Sequence, residues 1–175
     1  MSPTVPEVDT ANQLARIEAA YTREAAQLDA HDIAGWARWL HPDFRYEVPI
    51  PVTRDGARDR DYTDRGLFAV ETRHTIDLWV KRVSEDFIAT AYAENLPTRT
   101  RHFVTNTRIL RSADTDLLVS ANVLLSWNHR GDPPTFATAE RVDTLVDDGV
   151  GLMLRSRRVL LDCDVVHLHH LRVIF

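Results

Sequence analysis

At 175 residues the chain has the length of one domain, able to bury roughly 70% of the surface its unfolded form exposes without disulfide or metal staples. A net charge of −5 argues against a nucleic-acid partner. The single cysteine, Cys163, excludes an intrachain disulfide, and no run of about 18 apolar residues is present to span a membrane.

One cysteine and no evident signal peptide make a reducing cytoplasm the natural compartment, with Cys163 expected as a small buried apolar residue. Lys81 is the only lysine. Arginine is the better residue for interface ion pairs, a pointer to a protein partner, although a GC-rich genome accounts for the same bias.

Residues 1–8 hold two prolines and little to bury, so they are expected to form an N-terminal arm, with one domain over 9–175. Asp9 or Thr10 can cap a helix. Leu14, Ile17, Tyr21, Ala25 and Leu28 then recur at three- and four-residue spacing, the mark of an amphipathic helix running to about Asp29. Asp32 can cap a short second helix that turns Trp36, Trp39 and Leu40 inward, and His41-Pro42-Asp43 stops it. Phe44, Tyr46 and Val48 alternate with Arg45 and Glu47, predicting a strand that ends at Pro49 and Pro51.

Thr53 to Arg65 is polar and rich in Arg and Asp, and reads as a surface loop. From Gly66 to Arg82 the pattern of Phe68, Val70, Ile76, Leu78 and Val80, with Trp79, predicts a helix. Pro97 then makes the segment up to Thr98 extended or turning. From Thr100 the β-formers predict a strand with His102, Val104, Asn106, Arg108 and Leu110 on one face. Leu117 to Asn128, Phe136 to Val146 and Leu152 to Val166 read as further strands. Asp147-Asp148-Gly149 forms a hairpin turn between the last two, and the tail to Phe175 stays strand-like. Helices first and long strands afterwards predict an α+β domain, with one curved, mostly antiparallel sheet wrapped over its N-terminal helices.

The stretch Glu94-Asn95-Leu96-Pro97-Thr98-Arg99-Thr100-Arg101-His102 resembles the Glu-Asn-Pro-Pro-Ser-Arg-Thr-Arg-His signature of the small (β) subunits of aromatic-ring-hydroxylating dioxygenases, differing at Leu96 and Thr98. Tyr21 to Asp29, Trp36 to Pro49 and Arg155 to Asp162 resemble other segments of that family, so the likeness runs from about residue 12 to the end. It departs at His167-Leu168-His169-His170 and is vague across 50–65. The resemblance implies a cone-shaped, cystatin-like fold shared with nuclear transport factor 2, scytalone dehydratase and ketosteroid isomerase. It also implies a non-catalytic subunit of an oxidoreductase acting in aromatic-hydrocarbon catabolism, a homotrimer that assembles with α subunits as α3β3. The Rieske [2Fe-2S] cluster and the mononuclear iron would both belong to the α subunit. This chain has too few cysteines for a Rieske cluster, which needs two cysteines and two histidines.

Two constellations invite chemistry of their own. His167 and His169 share a strand face, and with Asp164 they have the residue types of a facial-triad iron site. Alternate positions on one C-terminal strand make a poor cage, so surface or interface is the better reading, and no metal or other cofactor is expected in this chain. The scytalone dehydratase branch pairs an aspartate of the first helix with a histidine on the corresponding strand, which here implies Asp29 and His102 as an acid–base pair. Tyr21 and Asn106 could add hydrogen bonds. The alternatives are a stand-alone dehydratase or isomerase using that pair, or a buried network whose polar groups satisfy one another. No nucleophile elbow, phosphate-cradling glycine loop or zinc-protease motif is present.

Overall fold

Ile17, Ala20, Tyr21, Glu24 and Leu28 line the inner face of the first helix, α1 (Glu7–Asp29), and all five are buried. The computed structural model of the chain describes residues 7–52, 61–84, 98–129, 132–163 and 174–175. The helix begins at Glu7, two residues before the capping position expected from sequence, and residues 1–6 of the expected arm lie outside the described residues.

Asp32 caps the short α2 (Ile33–Ala37), accepting from the Gly35 amide at 2.7 Å. A Cβ at Gly35 would sit 1.9 Å from the Asp32 carboxylate, so this cap needs glycine at that position. Trp36, Trp39 and Leu40 turn into the core as their spacing predicted.

Among the described residues, six strands make one sheet: β1 (Leu40–Val52), β2 (Asp61–Thr72), β3 (Thr98–Ala113), β4 (Asp116–His129), β5 (Thr135–Asp147) and β6 (Leu152–Leu161). Their order is β2-β1-β6-β5-β4-β3, with every pairing antiparallel except β1 with β6. The third helix, α3 (Arg73–Arg82), packs against β1 and β2, while α1 lies along β3. The core fills the space between helices and sheet, from Ile17 and Trp36 to Val119, Leu125 and Leu154.

The region after residue 60 departs from expectation. Residues 61–65, read as loop, and 66–72, read as helix, form β2, and the helix is confined to Arg73–Arg82. Two causes are visible. Pairing with β1 takes up Asp61, Tyr62, Leu67 and Ala69 to Thr72, and tertiary pairing overrides a local helical pattern. Thr72 also caps α3, accepting from the Thr75 amide at 3.3 Å while the Thr75 hydroxyl accepts from the Thr72 amide at 2.8 Å. Strand β1 likewise runs on through Pro49 and Pro51 to Val52. The prolines fall at register shifts, beyond the last residue that β1 pairs with β6. There a missing N–H breaks no ladder bond.

Strand β3 carries a bulge next to the candidate site. Asn106 has φ 55°, and the register with β4 slips between Thr105 and Arg108. This bulge inserts one residue and reverses which side chains face inward. His102 and Val104 are inward, but Thr107 and Ile109 follow them, while Asn106, Arg108 and Leu110 are exposed. The single face predicted from His102 to Leu110 is therefore split at Asn106. Between β5 and β6 the predicted turn is present, with Gly149 at φ 82°. The last predicted strand ends at Leu161, five residues short of Val166; residues 164–173 lie outside the described residues.

Candidate functional site

Asp29 is the last residue of α1, and His102 stands on β3 before the bulge. The structure brings them together. Asp29 Oδ1 lies 2.7 Å from His102 Nδ1 and accepts from the His102 backbone amide at 3.1 Å. Arg101 adds a contact of 3.4 Å to Asp29 Oδ2. On its other side, His102 Nε2 lies 2.7 Å from the backbone carbonyl oxygen of Ile174. The imidazole is 4% exposed and the carboxylate 11%.

Both neighbours of the ring are acceptors: a carboxylate oxygen and a carbonyl oxygen. With both ring nitrogens engaged by acceptors of the protein itself, neither is turned toward a substrate, as a general base must be.

Tyr21 and Asn106 join a different environment. Asn106 is exposed at the bulge. Tyr21 is buried, edge-on to Trp39, with the Arg141 guanidinium 4.1 Å from its ring centroid. Burial, and then the Asp143 charge, push the Tyr21 phenol well above its ordinary range. It stays neutral at the heart of the domain rather than beside His102.

What surrounds Tyr21 is a fully buried charge cluster that periodicity alone did not assign. Arg157 on β6 is the hub. It donates to both Glu24 carboxylate oxygens at 2.7 and 2.9 Å, and to both Asp143 oxygens at 2.9 and 2.8 Å. It also donates to the Phe175 carbonyl at 2.9 Å. Arg141 reaches Glu24 at 3.0 Å, and the Trp36 indole donates to Glu24 at 3.0 Å. Two arginines thus neutralise two carboxylates, and bidentate geometry compensates Arg157 for its loss of water, whereas Arg141 Nε and Nη2 are buried without a hydrogen-bond partner among the described residues. Burial pushes the Glu24 carboxyl up, but the charges of Arg157 and Arg141, with hydrogen bonds from Arg157 and Trp36, outweigh it and hold the group at about 2. For Arg157, burial pulls down while Asp143 and Glu24 push up, and the outcome is a guanidinium raised well above its ordinary value.

The signal was present in the sequence. Glu24 occupies an inward position of α1 between Tyr21 and Leu28, and Arg141 and Asp143 alternate in phase with Ala137, Ala139 and Leu145.

A cavity of about 250 Å³ opens between β1, β2 and α3, lined by Tyr46, Ala69, Glu71, Thr75, Leu78, Trp79, Arg82 and Ile174. Neither Asp29 nor His102 lines it. Ile174 touches the cavity and also holds His102 through its carbonyl. Burial pushes the Tyr46 phenol up to about 12, and its oxygen accepts from the Phe175 amide at 3.3 Å.

Asp164, His167, His169 and His170 lie outside the described residues. Among the described residues, no group of three His, Cys, Asp or Glu side chains could hold a metal ion, and no helix is long and apolar enough to cross a membrane. Cys163, expected as a small buried residue, is half-buried just after β6.

This helix-filled, bulged six-stranded sheet defines the cone-shaped α+β class. Solved structures share it. A chain of naphthalene 1,2-dioxygenase, solved with indole bound in the active site, superposes with a TM-score of 0.75 at 22% identity, covering 94% of this chain and 86% of that one. The β subunit of benzoate 1,2-dioxygenase from Burkholderia mallei gives 0.64 at 18% identity, covering 99% and 100%. A scytalone dehydratase candidate from Novosphingobium aromaticivorans gives 0.62 at 15% identity, covering 94% and 92%. At these identities the likenesses speak for the fold. The family comes from the sequence: the model of the family described as "Ring hydroxylating beta subunit" matches residues 23–168, and the chain belongs to that family.

Proposed function

We propose that the chain is the structural β subunit of the terminal oxygenase component of an aromatic-ring-hydroxylating dioxygenase, serving aromatic-compound catabolism in the cytoplasm. In this reading it forms a homotrimer and holds three Rieske-type α subunits in an α3β3 assembly. Ring oxidation belongs to the α subunits, with their [2Fe-2S] cluster and mononuclear iron. The observation that carries the reading against a stand-alone dehydratase or isomerase is the state of His102. Both of its ring nitrogens are held by acceptors of the protein itself, and the ring stands apart from the cavity.

The outer face of the sheet supports a partner-binding role. Phe103 and Phe136 are 52% and 60% exposed. Phe103 pairs across β3 and β4 with Leu124, and Phe136 lies diagonally from Leu124 on β5. Exposed aromatic groups gathered on one face mark protein contacts. The test is co-expression with a Rieske α subunit encoded beside this chain. Co-purification as a defined hetero-oligomer, with iron and sulfide in proportion to the α subunit, is the expected result. A monomer by light scattering, with and without the α subunit, contradicts the reading.

A further inference from the structure

Ile174 and Phe175 belong to no helix or strand, yet both are buried in the core. Side chains from three strands hold their backbone. His102 Nε2 of β3 lies 2.7 Å from the Ile174 carbonyl oxygen, and the Tyr46 hydroxyl of β1 accepts from the Phe175 amide at 3.3 Å. Arg157 of β6 donates to the Phe175 carbonyl at 2.9 Å. Strand β3 is one edge of the sheet, and β4 and β5 separate it from β6 and β1. The dipeptide therefore bridges the inside of the sheet from one side to the other. A strand is held main chain to main chain. Two apolar side chains in a pocket, with a few placed polar groups fixing the main chain, are instead how a site holds a small ligand.

The position of the dipeptide matters as much as its contacts. Asp29 takes His102 Nδ1, which leaves Nε2 as the ring nitrogen that a ligand could meet. Ile174 covers that nitrogen, and Ile174 also lines the cavity between β1, β2 and α3. Tyr46 is shared in the same way, lining the cavity and holding the Phe175 amide. Withdrawal of the dipeptide would leave Nε2 facing a space that adjoins the cavity, on a ring still oriented by a carboxylate. That is the arrangement a general base requires.

We propose that Ile174–Phe175 is an internal ligand, seated in a site for an apolar dipeptide, where it masks a latent acid–base pair formed by Asp29 and His102. The proposal is independent of the subunit role, because the site is built from this chain alone and its test needs no α subunit.

The probe of the mask is diethyl pyrocarbonate, which acylates imidazole nitrogens that solvent can reach. Modification is followed residue by residue by peptide mass spectrometry, at one fixed pH, in the full chain and in a variant lacking Ile174 and Phe175. A sealed group reacts only through local opening, so His102 is expected to react at least about tenfold faster in the shortened chain. His74, exposed on α3, is expected to react equally in both. N-acetyl-Ile-Phe, as acid and as amide, is then added to the shortened chain. An intramolecular ligand acts at an effective concentration on the order of millimolar, so the peptide is supplied in that range. It is expected to slow His102 again in at least one of its two forms, whereas N-acetyl-Gly-Gly is not. Should the shortened chain fail to fold, Ile174→Ala decides, with His102 expected to react several-fold faster than in the wild type. A His102 rate unchanged by shortening or by Ile174→Ala, no protection by either form of the apolar peptide, or equal protection by the glycine peptide would overturn the proposal.

Discussion

Helix α1 carries two inward carboxylates, Glu24 and Asp29, with opposite fates. Glu24 is 1% exposed and meets two arginines and an indole N–H. Asp29, at the helix end, is 11% exposed and meets one histidine, one backbone amide and one exposed arginine. The sequence marks Asp29 as the functional candidate and gives Glu24 no role. Energetically the order is reversed. A fully buried charge must be neutralised by neighbours that cannot move away, so Glu24 ties α1 to β5, β6 and the C-terminal residues at once. Asp29 ties α1 to β3 alone, where water can replace part of what is lost.

The largest effect should therefore come from Glu24. Replacing it by alanine leaves Arg141 and Arg157 short of a counter-charge, and removing one partner of a buried ion cluster costs about 3–5 kcal/mol. Urea denaturation of Glu24→Ala reads this directly; a midpoint equal to that of the wild type would show the cluster to be dispensable.

Acid should act on the same cluster. The folded-state pKa of Glu24 is about 2, against an ordinary value of 4.5. Its contribution is thus complete above about 4.5 and is lost as pH falls toward 2. At the alkaline end, Tyr46 is raised to about 12 from 10.0. Its contribution is complete below 10 and is lost as pH rises toward 12. Stability measured against pH should show a plateau between these limits, with an acid loss on the order of a few kcal/mol that Glu24→Gln flattens. An acid limb unchanged in that variant would assign it to other carboxylates.

Replacing His102 by glutamine comes next, at roughly 1–3 kcal/mol for partners left unsatisfied in a buried site. Smallest is the exposed pair of Arg16 with Asp147, at 2.6 and 3.1 Å. Arg16→Ala should cost about 0–1 kcal/mol, less in high salt. A loss comparable to that of Glu24→Ala would remove the distinction between core and rim.

Much of the fold could be read from the chain because its signals were local and periodic. The inner face of α1, the cap at Asp32 and the alternation of β4 and β5 each depend on nearby residues. The departures fall where distant pairing decides. Residues 66–72 carry a pattern that fits a helix, and β1 draws them into a strand. The bulge at Asn106 depends on the register with β4, so the face assigned to β3 slips at that residue. The juxtaposition of Asp29 and His102 was legible only through family likeness, because nothing in the spacing of residues 29 and 102 joins them. The charge cluster was visible as inward positions on separate elements, but its closure depends on four segments meeting.

The most direct measurement places His102→Gln in a complex reconstituted with a Rieske α subunit, as the proposed function requires, with a thermal melt of the isolated variant alongside. If the chain is a scaffold, the melt falls, and turnover per assembled complex stays at the wild-type value. If His102 acts as a general base, the melt and assembly stay normal, and turnover falls by roughly 10²–10⁴-fold. The first result is the one expected here; the second would contradict the structural role.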